Sequence, residues 1–298
     1  TSVPPPEMDS GAYARMTPVE RRGAWTRRGI ELANQALRAG ANAEEALALR
    51  GEARVRLLED GAADRDTLAS LAELDLRRAL EIRPDLAAAW MYLAQLLRQQ
   101  GRFADAADAA GRAIEADAYY EVRPVMAIGF MTSLHAGRFD DARRWCRMGL
   151  EHYAGDPRFT ECELTSLGWT ARSRDAVLRA RSLMQTIERR DTLHLLSPTW
   201  KYRRLMVAAI MARAGMRDSA QAVLSEIESH EQANASARGN YMTEAYVRLL
   251  LGQRDAAIDR LSTYLRSTPQ ARPQVAKHPW FGELADDARF QALVRPAK

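Results

Sequence analysis

Along residues 87–118 the apolar positions fall into two helical stripes separated by a glycine. Trp90, Leu93, Ala94 and Leu97 stand at i, i+3, i+4 and i+7, which is one face of a helix. Gly101 follows and can take the left-handed backbone that ends a helix without strain. Ala106, Ala110, Ala113 and Ile114 make the stripe of a second helix, with Phe103 over the turn. Small residues on that stripe let two helix axes approach closely.

The arrangement recurs. In Gly101–Ala106, Gly137–Ala142, Gly215–Ala220 and Gly252–Ala257 the glycine precedes an alanine by five positions. Ala72, Ala106, Ala142, Ala176, Ala220 and Ala257 keep one register in steps of 34 to 44 residues. A generic alanine-rich bundle has no such period. The pattern predicts an all-α chain of antiparallel helix pairs stacked as a solenoid.

Taken in order, residues 1–16 read as a Pro-rich linker. Residues 17–298 read as one repeat domain, with a break near 191–198 and a C-terminal cap at 278–298. Thr17 and Pro18 open a helix to about 39, and Asn42 is placed to cap the next, over 43–58. Gly51 lies where helices approach. After an insertion at 60–66 the partner of the 43–58 helix is expected from about 67 to 80, and later pairs near 87–118, 123–153, 159–189, 200–228 and 237–266, with a polar loop at 230–236. Trp280, Phe281, Leu284, Phe290 and Leu293 would cover the bare apolar end of the last pair, as solenoids require.

Composition narrows the function. Six tryptophans, nine tyrosines and six phenylalanines in 298 residues leave alanine, leucine, valine and methionine to build most of the core. No apolar run reaches the length of a transmembrane helix, and the start lacks the basic and apolar regions of a signal peptide. Thr1 in place of Met leads us to expect a processed or excised chain, in the cytoplasm or periplasm. The net charge is +4 and the pI about 9.2. The cations are nearly all arginine and are interspersed with acids, so no continuous basic stripe marks a nucleic-acid binder. Two cysteines, Cys146 and Cys162, make neither a disulfide framework nor a zinc site. Cys146 holds a stripe position and is expected to be buried, with its pairing to Cys162 left open.

The chain carries no phosphate-binding loop, nucleophile elbow or metal-binding helix motif. Its acids are spaced for salt bridges on exposed faces. Neither a catalytic residue, nor a metal, nor a cofactor is expected. The work then falls to a groove. In a helix-pair solenoid the first helices line the concave face. Positions a quarter turn from the buried stripe select Met91, Tyr92, Gln95 and Arg98, then Met131 and His135, then Thr165 and Trp169, then Tyr202, Met206, Met242 and Tyr246. Methionine and aromatic side chains suit an apolar or amphipathic peptide. His135 can also be read as a C-terminal helix residue favoured by the dipole.

Trp90, the small residue at 94, Ala106 and Ala113 resemble the tetratricopeptide repeat (TPR) pattern, whose period is about 34 residues. The resemblance covers most of residues 43–266 and implies a right-handed superhelix that binds a protein or peptide partner. The stretch Ala72–Ala79 with Ala113–Asp117, then Trp145-Cys146, and the tail Trp280-Phe281 with Asp287–Leu293 look like the TPR regions that end many bacterial serine/threonine protein kinases. There another domain does the chemistry, so no catalytic role is implied here. The alternative is an accessory subunit of a larger assembly, membrane-attached or free.

Overall fold

The computed structural model describes residues 3–120, 122–153, 156–190, 199–233 and 239–295. The chain divides into two compact units, Thr1–Thr132 and Ser133–Lys298. The first holds α1 (Ser10–Arg15), α2 (Pro18–Arg38), α3 (Ala43–Glu59), α4 (Arg65–Ile82), α5 (Ala87–Gln99), α6 (Phe103–Ala116) and most of α7 (Val122–His135). The second holds α8 (Phe139–His152), α9 (Pro157–Thr170), α10 (Arg174–Arg190), α11 (Trp200–Arg213), α12 (Arg217–Ala233), α13 (Tyr241–Leu250) and α14 (Arg254–Ser267). It closes with α15 (Arg272–Ala276), α16 (Ala288–Val294) and two 3-10 turns, Pro269–Ala271 and Pro279–Leu284. The division is one of internal packing. That is natural where each repeat touches only its neighbours. The break expected at 191–198 lies outside the described residues. The expected loop at 230–236 begins inside α12, and its remainder also lies outside them.

Within each unit, helices pair as the stripes predict. Within the first unit α3 packs on α4 and α5 on α6, and α3 also touches α5. Within the second, α9, α11 and α13 pair with α10, α12 and α14, and α11 touches both α9 and α13. Ala72, Ala106, Ala142, Ala220 and Ala257 are fully buried, and Ala176 is 9% exposed.

The turns repeat one hydrogen-bonding pattern. Gly40, Gly61, Gly101, Gly137, Gly215 and Gly252 have φ between 69° and 84°. At the central turn Gly101 N–H donates to Arg98 O at 3.0 Å and Arg102 N–H to Leu97 O at 2.9 Å. The other five glycines make the same pair of bonds. This is the Schellman cap, which satisfies the last carbonyls of the first helix and reverses the chain into the second. Thr17 caps α2 in a reciprocal box with Glu20. Asn42 stands at the expected cap of α3, yet its side chain makes no cap hydrogen bond.

Residues 3–16 differ from the expected linker. Asp9 caps α1 by accepting from Ala12 N at 2.8 Å. Tyr13 is buried, with the Arg21 guanidinium 5.3 Å above its ring. Arg21 donates to Tyr13 O and Ala14 O, and Trp25 Nε1 donates to Val3 O at 3.0 Å. Two side chains one turn apart on α2 thus supply the donors that fix a segment whose composition reads as flexible.

The tail caps the last pair as expected. Trp280, Phe281, Leu284 and Phe290 are buried, and Leu293 is half-buried. Asp287 pairs with Arg254, and Asp255 with Arg289, tying the tail to α14. Cys146 of α8 and Cys162 of α9 are joined as a disulfide, with Cα atoms 5.8 Å apart.

Small residues set the closest approaches. A Cβ built on Gly51 of α3 would stand 2.6 Å from Leu76 Cγ of α4, whereas one on Gly111 of α6 meets nothing within 4 Å. Both glycines are helical, so intrinsic propensity favours alanine at each by up to about 1 kcal/mol. Gly51→Ala should instead destabilise the chain by about 1–3 kcal/mol through overpacking, while Gly111→Ala should stabilise it slightly. Urea unfolding of both variants, read by circular dichroism, checks the contrast.

Candidate partner-binding surfaces

In the first unit an open cleft of about 740 Å³ lies between α2 and α3. Ala33, Ala46 and Ala53 form its buried floor. Leu32 and Leu49 stand on its walls 48% and 58% exposed, beside Trp25. The small floor residues are part of the same pattern that lets helices approach, and here they leave the space between α2 and α3 unfilled. A smaller cleft of about 260 Å³ shares Trp25, Thr26 and Arg56 and adds Glu59.

Polar groups stand at one end of the cleft. Tyr92 of α5 donates from its hydroxyl to Glu52 Oε1 at 2.8 Å and accepts from Arg56 Nη2 at 2.6 Å. The Arg56 guanidinium also lies 5.4 Å from the Tyr92 ring. Burial, then the adjacent Glu52 carboxylate, pushes the Tyr92 phenol well above its ordinary value. Gln95 donates to Glu59 across the same two helices. Among the four residues selected on α5, Gln95 and Arg98 are half-buried, whereas Met91 and Tyr92 are buried. Met91 is therefore core rather than groove. Helix α5 is packed on α3, α4 and α6, which leaves it no broad free face.

The remaining selected residues are also more enclosed than a free groove would have them. Met131 and Met242 are half-buried. Thr165 is buried, with its hydroxyl 3.0 Å from the Tyr202 hydroxyl between α9 and α11. Burial pushes Tyr202 up to about 12. Met206 is fully buried, its sulfur filling the space over Gly168. It serves as the contact between α9 and α11.

His135, Trp169 and Tyr246 come together, from α7, α9 and α13, and the chain's own tail covers them. His278 Nε2 lies 3.0 Å from His135 Nε2, and Trp280 N–H donates to His278 Nδ1 at 3.2 Å. Because Nδ1 of His278 accepts, its neutral ring carries the proton on Nε2 and donates it to His135. Trp280 stacks on Tyr246 at 4.3 Å and 6°, and lies 4.8 Å from Trp169. The Tyr246 hydroxyl accepts from Arg213 at 3.1 Å and donates to Gly168 O at 3.3 Å. The tail therefore does more than the expected capping: it also reaches residues of three first helices. His135 is the last residue of α7, but its surroundings are the buried aromatic cluster rather than an exposed helix end.

A second feature lay outside the sequence reading. Acids expected on exposed faces include several buried ones. Glu244 of α13 is 1% exposed and takes Lys201 Nζ at 2.8 Å, Arg248 Nη2 at 2.8 Å and Arg260 Nε at 2.7 Å. Lys201 also reaches Glu231 at 2.7 Å, and its ammonium lies 5.1 Å from the Tyr241 ring. Burial alone would raise Glu244, but Lys201, Arg248 and Arg260 hold it below the usual carboxylate range. Arg203 is buried against Glu161, and Asp75 is buried between Arg50 and Arg54. The only sequence signal was Lys201, one of three lysines in the chain and placed inside an apolar helix. Glu161 and Glu163 do point to different sides, with Glu163 on exposed Arg179. Among the described residues no three His, Cys, Asp or Glu side chains are placed to share a metal ion. No helix among them is long and apolar enough to cross a membrane.

No protein-family model matches this chain, and no curated protein matches it. It is similar to a solved tetratricopeptide repeat protein from Parabacteroides merdae, with a TM-score of 0.51 at 10% sequence identity. The match covers 91% of this chain and 99% of that one. At that identity the similarity shows the fold alone, and the fold it shows is the TPR-like stack of helix pairs.

Two outcomes follow from these clusters. Glu244→Gln removes the charge that buried Lys201 and Arg248 share with half-buried Arg260, and should cost about 3–5 kcal/mol. Glu226→Gln, at the half-exposed partner of Arg204, should cost no more than about 1 kcal/mol. Thermal unfolding of both variants compares them. Burial, then the His135 ring, holds His278 well below its ordinary value of 6.5. The folded chain thus keeps His278 neutral where the unfolded chain binds a proton. Its contribution is whole above pH 6.5 and is lost as the pH falls below that toward the folded value. Melting between about pH 7.5 and about pH 5.5 should show this loss, and His278→Gln should reduce it.

Proposed function

We propose that this chain is a non-catalytic scaffold that holds a peptide or protein partner, with the cleft between α2 and α3 as its open docking surface. The observation that carries the reading is that cleft: about 740 Å³, with an alanine floor, two exposed leucines and a polar end at Glu52 and Arg56. Apolar walls supply the driving force for an incoming side chain, and the polar end fixes orientation. A helix laying an apolar face into a hydrophobic groove is one recurring way such a surface is used. The TPR-like fold supports the reading because helix-pair solenoids present extended binding surfaces. Of the residues first selected, Tyr92 contacts Glu52 and Arg56 at the polar end, and Gln95 contacts Glu59 beside it. His135, Trp169 and Tyr246 belong to a second surface, covered by the tail.

The scaffold could serve a regulatory module beside a catalytic domain, as the tail's resemblance to those of bacterial kinases implies. It could equally be a permanent subunit of a larger complex. Stoichiometry separates these: a permanent subunit co-purifies in fixed ratio, and a docking module does not.

The test is a photo-crosslinking residue placed at Leu49, with Leu74 and Leu178 as controls. All three leucines are exposed, but only Leu49 lines the cleft. In cells, Leu49 should yield a discrete crosslinked partner that the controls do not, and Leu32→Glu should abolish it. Equal yields at all three positions would sink the reading.

A further inference from the structure

The second unit already has a peptide seated on its first helices. His278 and Trp280 bring an imidazole and an indole onto His135, Trp169 and Tyr246, with Pro279 between them in the chain and Phe281 against the Trp280 ring. Their contacts are specific in geometry: a ring-nitrogen hydrogen bond of 3.0 Å to His135 and a parallel stack of 4.3 Å on Tyr246. Generic capping of an apolar helix end needs neither.

The seated segment is an imperfect occupant. The indole nitrogens of Trp169 and Trp280 are buried and have no hydrogen-bond partner among the described residues. Buried donors are normally satisfied, and an unmet one penalises the state that buries it. A cavity of about 300 Å³ adjoins the cluster, with Arg213 and Glu283 on its wall. The segment is also held in short pieces, a five-residue helix and two 3-10 turns, whose hydrogen bonds are weaker than those of the long helices.

We infer that the face built by His135, Trp169 and Tyr246 is a second peptide site, closed in the resting chain by its own C-terminal segment. The partner it takes is a peptide of the same chemistry: a hydrogen-bonding residue and a proline followed by two aromatics. The proline fixes an extended entry, the first aromatic stacks on Tyr246, and the residue before the proline meets His135. A partner that offers a carbonyl to Trp169 Nε1, and extends into the adjoining cavity, gains contacts that the tail does not make. It then displaces the tail, which acts as a tethered competitor. The inference rests on the scaffold reading. It is tested in the other unit, so the two can fail separately.

The experiment uses the full chain and a synthetic peptide of residues 278–284, with a control peptide carrying alanine for both aromatics. A tethered segment competes at an effective concentration in the millimolar range, so the peptide is supplied at about 1 mM or more. Hydrogen exchange is read on proteolytic fragments extending from 272 through 284, which distinguishes the chain from the added peptide. The peptide should speed exchange of the tail amides, and the control should not. His278→Ala, which removes the contact to His135, should bind labelled peptide about tenfold more tightly than wild type. Adding Tyr246→Leu should reverse that gain. Tail exchange unchanged by the peptide would overturn the inference. So would equal affinity in wild type and a His278→Ala chain that keeps its helical spectrum. If His278→Ala fails to fold, the exchange measurement on the wild-type chain decides alone.

Discussion

Close approach between helices depends on what stands at the contact, and in this chain alanine or glycine stands there. Alanines in one register are buried along the second helices. Gly51 leaves α3 no side chain where Leu76 of α4 enters, and Gly168 does the same for Met206 between α9 and α11. A larger residue at these points would hold the axes apart, and the leucines and methionines around them would lose their contacts. The left-handed glycine turns serve the same end. They reverse the chain within a few residues while satisfying the terminal carbonyls, so each pair is joined by local hydrogen bonds.

Once helices are this close, polar side chains between them cannot reach water and must find one another. That accounts for the ion clusters of the second unit. Glu244 gathers Lys201, Arg248 and Arg260, and Glu231 takes the remaining reach of the lysine. Such clusters contribute little net stability against apolar packing, but removing one member leaves the others uncompensated. They act here as registration: a charged set from α11, α12, α13 and α14 fits together in one alignment of those helices.

The same economy of space separates two kinds of surface. In the first unit, small residues between α2 and α3 leave an unfilled apolar cleft bordered by charge. In the second, the aromatic residues of three first helices are covered by the chain's own terminal segment. One cleft is open and the other surface is covered by residues 278–281, and the contrast comes from that segment rather than from the repeats.

The repeat was legible from spacing alone. Glycine five positions before alanine, with stripes at i, i+3, i+4 and i+7, was enough to place the helix pairs and to mark Gly51 as a contact point, because these are local rules of helix geometry. The sites were less legible. Met91 and Met206 share the spacing of groove residues but are core. Helical periodicity gives an angle around one axis and says nothing about how many neighbours surround it. Tyr13 and the residues before it read as linker because their anchors, Arg21 and Trp25, act through the folded geometry of α2. The meeting of His135 with His278, 143 positions apart, and of Lys201 with Glu244 could come only from the tertiary structure. Side chains far apart in the chain meet through the summed turns and packing angles of everything between them, and no spacing rule carries that sum.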